Sequence, residues 1–255
     1  VMPPDHREDQ IGLSAFSPGA PSRIDDERFR SAQYATTFTE QMGYGELSPS
    51  DLERVLAGKA VSVSPYIDTY EEGFSGSTSV EDLETMLQLV HLKMTAPRRD
   101  ESTFDALKRQ FAAVIANQEN QPQFQFRRRF QELYSDGHPR TLPLDAEGLD
   151  AIRLDDVLDT YVARFSDASD FVFSFSGDLD VDTVVELARR YLATLPATGR
   201  VEEVDRVEPA APSGVVTDEV RAGVGEQASV SLLFTEPATA DRRDDVVAAL
   251  MQEVV

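Results

Sequence analysis

Apolar side chains at Phe29, Ala32, Ala35, Phe38 and Met42 recur three and four residues apart, the signature of an amphipathic helix with one face turned to a core. The pattern predicts one continuous helix over this stretch, closed by the Gly43-Tyr44-Gly45 turn, whose glycines permit positive φ. Ser48-Pro49-Ser50-Asp51 then reads as a capped start with Pro in the first turn, opening a short helix that stops at Gly58. Val61, Val63 and the run Ile67 to Phe74 predict two strands joined at Pro65. From Ser79 and Asp82 a long helix runs through Leu83, Leu87, Val90 and Met94 to Pro97, and Phe104, Leu107, Phe111, Val114 and Ile115 predict another.

Ahead of these elements, Ile11 to Phe16 predicts one short strand. Behind them, Phe126, Phe130 and Leu133 fall at helical spacing, which predicts a core-facing stripe with the intervening arginines in solvent. His138-Pro139 marks a turn, and Leu154 to Phe165 a further amphipathic helix. Strict alternation from Asp170 to Ser176 predicts a strand with Phe171, Phe173 and Phe175 on one face, followed by a helix from Val181 to Leu195. Pro196 to Gly214 is rich in Pro, Gly and charge and reads as a linker. Beyond it, Gly214 to Val220 and Ser229 to Phe234 are strand-like and Asp241 to Val255 begins a helix. The predicted organisation is a domain over 1–203, a linker over 204–213 and the start of a second domain over 214–255. The fold class is α+β, a mostly antiparallel sheet with helices on one side.

Composition narrows the chemistry. Without a single Cys there is no disulfide framework and no thiolate site. A formal charge of −22, from 46 acids against 24 bases, opposes nucleic acid and anionic membranes as partners and favours neutral or basic ones. With only three lysines among its bases, this acidic composition suits a salt-loving or high-GC source. No apolar run approaches the roughly 20 residues of a membrane span. The chain starts without Met and ends inside a helical pattern, as expected of a piece cut from a longer protein.

Thr37 and Gln41 stand one turn apart on the motif helix, the spacing at which two histidines would pinch a zinc ion with a glutamate beside the second. The order of segments around them is distinctive: Leu-Ala-Gly-Lys at 56–59, Val-Ser-Val-Ser-Pro-Tyr-Ile at 61–67, Gly-Phe-Ser-Gly-Ser at 73–77 and Thr-Ala-Pro-Arg at 95–98. It continues through His138-Pro139-Arg140, Tyr161 to Phe165, Phe171-Val172-Phe173 and Leu179 to Pro196. In this order the chain resembles the pitrilysin/insulinase family of zinc metallopeptidases, and within it the non-catalytic C-terminal half of the long bacterial forms. The resemblance implies that H-x-x-E-H falls on Thr37-Phe38-Thr39-Glu40-Gln41, so that only Glu40 survives. It implies a third ligand position near Ala113 or Val114, neither able to bind metal.

This resemblance therefore implies no catalytic, cofactor or metal residue in this chain, with zinc in a catalytic half of the parent protein. That zinc-bearing half, in the same protein or a paired subunit, and an unfolded peptide substrate are the implied partners. A periplasmic or cell-envelope location is the implied compartment, and the first strands of the sheet are expected upstream. The alternative is a stand-alone structural or interaction subunit that has lost peptidase function.

Other candidate chemistry is bland. His91 lies beside Leu87 and Met94 and reads as a packed histidine, and His138 sits in a turn. Asp178, Asp180 and Asp182 imitate a calcium loop but lack its glycine and its twelfth ligand, so they read as a helix cap. The resemblance also implies a substrate-touching glycine loop, for which Gly43 to Gly45 is the candidate. The adjacent pairs Glu71-Glu72 and Asp155-Asp156 point apart and make no acid/base couple.

Overall fold

The computed structural model describes residues 8–204, 212–223 and 228–233. Four antiparallel strands form its sheet: β1 (Ile11–Pro18), β2 (Val61–Ile67), β3 (Glu71–Thr78) and β4 (Val172–Gly177), in the order β2-β3-β1-β4. The helices are α1 (Phe29–Gln33), α2 (Ala35–Met42), α3 (Pro49–Val55), α4 (Leu83–Thr95), α5 (Glu101–Glu119), α6 (Pro122–Tyr134), α7 (Ala146–Ala151), α8 (Leu154–Phe165) and α9 (Val181–Tyr191).

Alternation along each strand assigns the two faces of the sheet. Ile11, Leu13, Ala15, Val63 and Phe74 are buried and pack with Met86, Leu87, Val90, Met94, Tyr161, Phe165 and Leu187 from α4, α8 and α9. The opposite face carries small and hydroxyl side chains: Gly12 and Ser14, Ser62 and Ser64, Gly73, Ser75 and Ser77, Ser174 and Ser176. Ser62 and Ser77 meet hydroxyl to hydroxyl at 3.1 Å across this face. Tyr66, Phe16 and Val172 close it at one end. A second cluster unites Phe38, Met42, Phe104, Ile115, Leu149, Ile152 and Val157 from α2, α5, α7, α8 and the link between the last two.

Several expectations are corrected. The helix expected from Phe29 onward breaks at Tyr34, whose φ of −105° and ψ of 7° end α1 and start α2. All five periodic residues are nonetheless buried, because both pieces pack against α8. The strands do not join at Pro65; that residue lies inside β2, opposite Phe74, and the turn falls at residues 68–70. A proline is tolerated there because β2 is an edge strand.

On α6 the buried aromatic is Phe124, whereas Phe126, Phe130 and Tyr134 form a half-buried stack along the helix. Its arginines are not simply solvated: Arg128 pairs with Glu132 and Asp145, and Arg129 with Glu132 and Asp218. The helix after β4 ends at Tyr191. Residues 214–220 and 229–233 form no strand; Val215 is 98% exposed and Val230 84%, since among the described residues no ladder or core meets them. Phe234 and the helix expected over Asp241 to Val255 lie outside the described residues.

Candidate functional site

Helix α2 carries the motif positions. Phe38 packs against Phe104 and Phe111 of α5 with ring centroids 4.9 and 5.6 Å apart, which turns Thr37 and Gln41 outward on the opposite side. The helix ends at Gly43 (φ 90°), where a Cβ would strike the Leu47 carbonyl. Tyr44 is buried, bridges to Leu47 and Pro97, and the Gly45 N–H donates to Ala96 O at 2.7 Å. The glycine loop is thus committed to internal packing.

Glu40, half-buried between the two outward positions, accepts a hydrogen bond from Lys93 Nζ at 2.7 Å. Lys93 belongs to α4 and is itself buried, with its ammonium 4.7 Å from the centroid of the Tyr44 ring. Tyr161 on α8 donates to the Tyr44 hydroxyl at 3.2 Å, and burial pushes both phenols up from their ordinary value. Glu40 is therefore one end of a polar chain linking α2, α4 and α8.

These residues do not fit zinc. Thr37 offers a hydroxyl and Gln41 a neutral amide, the only carboxylate between them is already neutralised by an ammonium, and Ala113 and Val114 are exposed hydrocarbon on α5. Among the described residues no group of three His, Cys, Asp or Glu side chains could hold a metal ion. His91 Nδ1 lies 2.9 Å from the Tyr191 carbonyl and joins α4 to α9. Asp180 caps α9 through the Thr183 N–H at 2.8 Å.

The outer edge of β2 is the second feature. Ser79 N–H donates to Ala60 O and Asp68 N–H to Glu71 O, in the register that runs from Val61 opposite Thr78 to Ile67 opposite Glu72. Even-numbered residues of β2 thus direct their backbone groups to β3, and odd-numbered ones direct theirs to the free side. Val61, Val63 and Ile67 present N–H and C=O there without a hydrogen-bond partner among the described residues. Pro65 falls on an odd position, so its missing N–H costs no ladder bond and instead removes one donor from the free edge. The edge is anchored at its start by Asp82, which accepts from Ala60 N–H at 2.8 Å and from Lys59 at 3.0 Å instead of capping α4.

A third feature escaped sequence reasoning. Arg164 holds Glu202 with both arms, at 2.5 and 3.0 Å, and lies 3.7 Å from the fully buried Glu72. Arg200 pairs with Asp170 at 3.4 Å, and Ser17 donates to the same Asp170 oxygen at 2.9 Å. Asp167 accepts from Ser169 and Thr198. The stretch expected to open a linker is therefore tied to α8 and the sheet at least as far as Glu202.

Comparison with known proteins adds the following. Residues 151–255 match the family model described as the peptidase M16 inactive domain. Over 203 residues the chain is 23% identical to the Probable zinc protease PqqL of Haemophilus influenzae, covering 77% of this chain and 21% of that protein. The crystal structure of the periplasmic protease PqqL from Escherichia coli aligns with a TM-score of 0.67 at 21% identity, over 79% of this chain and 22% of its own. The ferredoxin protease FusC, solved in complex with Arabidopsis ferredoxin, aligns with a TM-score of 0.66 at 20% identity, over 81% and 22%. The chain thus spans about a fifth of the length of these relatives. These likenesses bear out the resemblance to the pitrilysin/insulinase zinc peptidases, and with it the α+β fold.

Proposed function

We propose that this chain is a non-catalytic domain of a zinc metallopeptidase that helps enclose an extended peptide and position it for a separate zinc-bearing half. The observation that carries the reading is the outer edge of β2, where Val61, Val63 and Ile67 offer backbone donors and acceptors in a row. An unfolded peptide can add to such an edge as a further strand, gaining main-chain hydrogen bonds whatever its sequence. The exposed α2 face at Thr37 and Gln41 acts as neutral wall rather than as chemistry. Two findings support this reading: the match to an inactive peptidase domain, and a related protease solved with a protein bound. The periplasm is the proposed compartment, as for the Escherichia coli relative.

Strand addition uses every second amide of the guest. Three versions of one basic, unfolded peptide, unmodified, N-methylated on alternate residues and N-methylated on every residue, are titrated by fluorescence anisotropy against the protein carrying this chain and its zinc-bearing half. Alternate methylation, which leaves every second amide free, should keep most of the binding, and methylation of every residue should abolish it. Undiminished binding of the fully methylated peptide would exclude an edge-on mode.

A further inference from the structure

The vestigial metal position has lost more than its ligands. Lys93 reaches Glu40 from within the fold: it is 7% exposed, its ammonium lies near the Tyr44 ring face, and its Nζ donates to Glu40 Oε1 at 2.7 Å. A surface lysine could swing away from an arriving cation. This one is held by α4 and the packing around it. We propose that Lys93 is a built-in cation that excludes divalent metal from the Thr37-Glu40-Gln41 surface, replacing a metal's charge at the retained carboxylate with a fixed single charge.

The argument is electrostatic. Glu40 and Lys93 together are neutral, so a dication recruited by side chains at positions 37 and 41 finds an ammonium 2.7 Å from the one carboxylate between them and no free carboxylate to offset it. At the intermediate effective dielectric of a partly buried site, that repulsion weakens metal binding by roughly ten- to a hundredfold. Restoring histidines at 37 and 41 would therefore fail for a reason separate from the missing third ligand. The closed polar chain Glu40–Lys93–Tyr44–Tyr161 also gives the lysine a structural role, which a chance surface contact would not have.

The test compares zinc affinity in the Thr37→His/Gln41→His background with Lys93 kept, changed to Met, or changed to Arg. Affinity is read by competition with a chromogenic chelator at neutral pH, after circular dichroism has verified folding. Methionine matches the length of the lysine stem without its charge. Lys93→Met should tighten zinc binding at least about tenfold, whereas Lys93→Arg should leave it weak. Should the Met variant fold poorly, Lys93→Gln in the same background is the second neutral replacement and carries the same expectation. Equal affinity across the lysine, arginine and neutral variants would overturn the proposal and leave ligand loss alone as the reason the site holds no fit for zinc.

Discussion

Replacing Arg164 with Met should be among the most damaging single changes outside the apolar core. The guanidinium grips Glu202 at 2.5 and 3.0 Å and stands 3.7 Å from Glu72, a carboxylate with no exposed surface. Within the cluster of Arg164, Arg200, Glu72, Asp170 and Glu202, the formal charge is two minus three, or −1; without Arg164 it is one minus three, or −2. Burial alone would lower the Arg164 pKa, yet the Glu202 hydrogen bond and the neighbouring acids raise it, so at the guanidinium these contacts outweigh its own desolvation. Removing one partner of a buried pair costs about 3–5 kcal/mol; because Glu202 keeps some solvent, we expect about 3 kcal/mol. Urea unfolding at pH 7, followed by far-ultraviolet circular dichroism, measures the loss. Adding Glu72→Gln to Arg164→Met should restore about 1 kcal/mol or more, since one fully buried negative charge is then gone from a cluster that has lost an arginine. Hydrogen exchange should also speed up over residues 198–204, which Glu202 tethers. A loss below about 1 kcal/mol, or no recovery in the double variant, would refute the view that these charges hold that segment in place.

Other consequences are smaller. Pro65→Val should add the one missing donor to the free edge of β2, raising affinity for an unfolded peptide and also self-association, both readable by analytical ultracentrifugation; unchanged behaviour would mean the edge is inaccessible. The carboxyls of Asp82, Asp100 and Asp180 are held below their ordinary value by hydrogen bonds from Ala60 and Lys59, from Thr103 and Ser102, and from Thr183. At Asp167, burial pushes the carboxyl up but hydrogen bonds from Ser169 and Thr198 outweigh it, leaving the value lowered. Such groups stabilise the fold above the unfolded carboxyl pKa of about 4, and this stability should drain away as pH falls below it, a trend thermal melts from pH 6 to pH 2 will show or deny. Melting temperature should rise with added salt, because the charge of −22 repels itself and is screened over about 8 Å at physiological ionic strength; a flat response would mean the acids are locally paired.

How far the sequence could be read depended on the range of the forces involved. Helices set by local periodicity emerged almost to the residue, as in α8 over Leu154–Phe165 and α4 over Leu83–Thr95. The Ser48 cap, with its reciprocal Asp51 bond, is equally local. Pro65 misled because proline reads as a breaker, and only the register against β3 reveals that its nitrogen faces away from the ladder. Periodicity also picked the wrong stripe on α6, since an aromatic run offers more than one helical face and the tertiary partner chooses between them. The Glu72, Arg164, Asp170, Arg200 and Glu202 cluster was invisible because its members come from three distant stretches, and each alone looks like an ordinary surface charge. Spacing was enough to place Thr37, Glu40 and Gln41 on one helix, but not to bring Lys93, 53 residues from Glu40, to the same carboxylate.

The central claim is that this chain holds peptide for chemistry done elsewhere. The most direct measurement is kcat/KM for a series of basic, unfolded peptides of increasing length, taken with the zinc-bearing half alone and with the complete C-terminal half that contains this chain. The account predicts a marked fall in efficiency and a lost preference for longer peptides when the C-terminal half is absent, with short peptides least affected. Undiminished efficiency and an unchanged length preference would contradict it and make this chain a structural subunit.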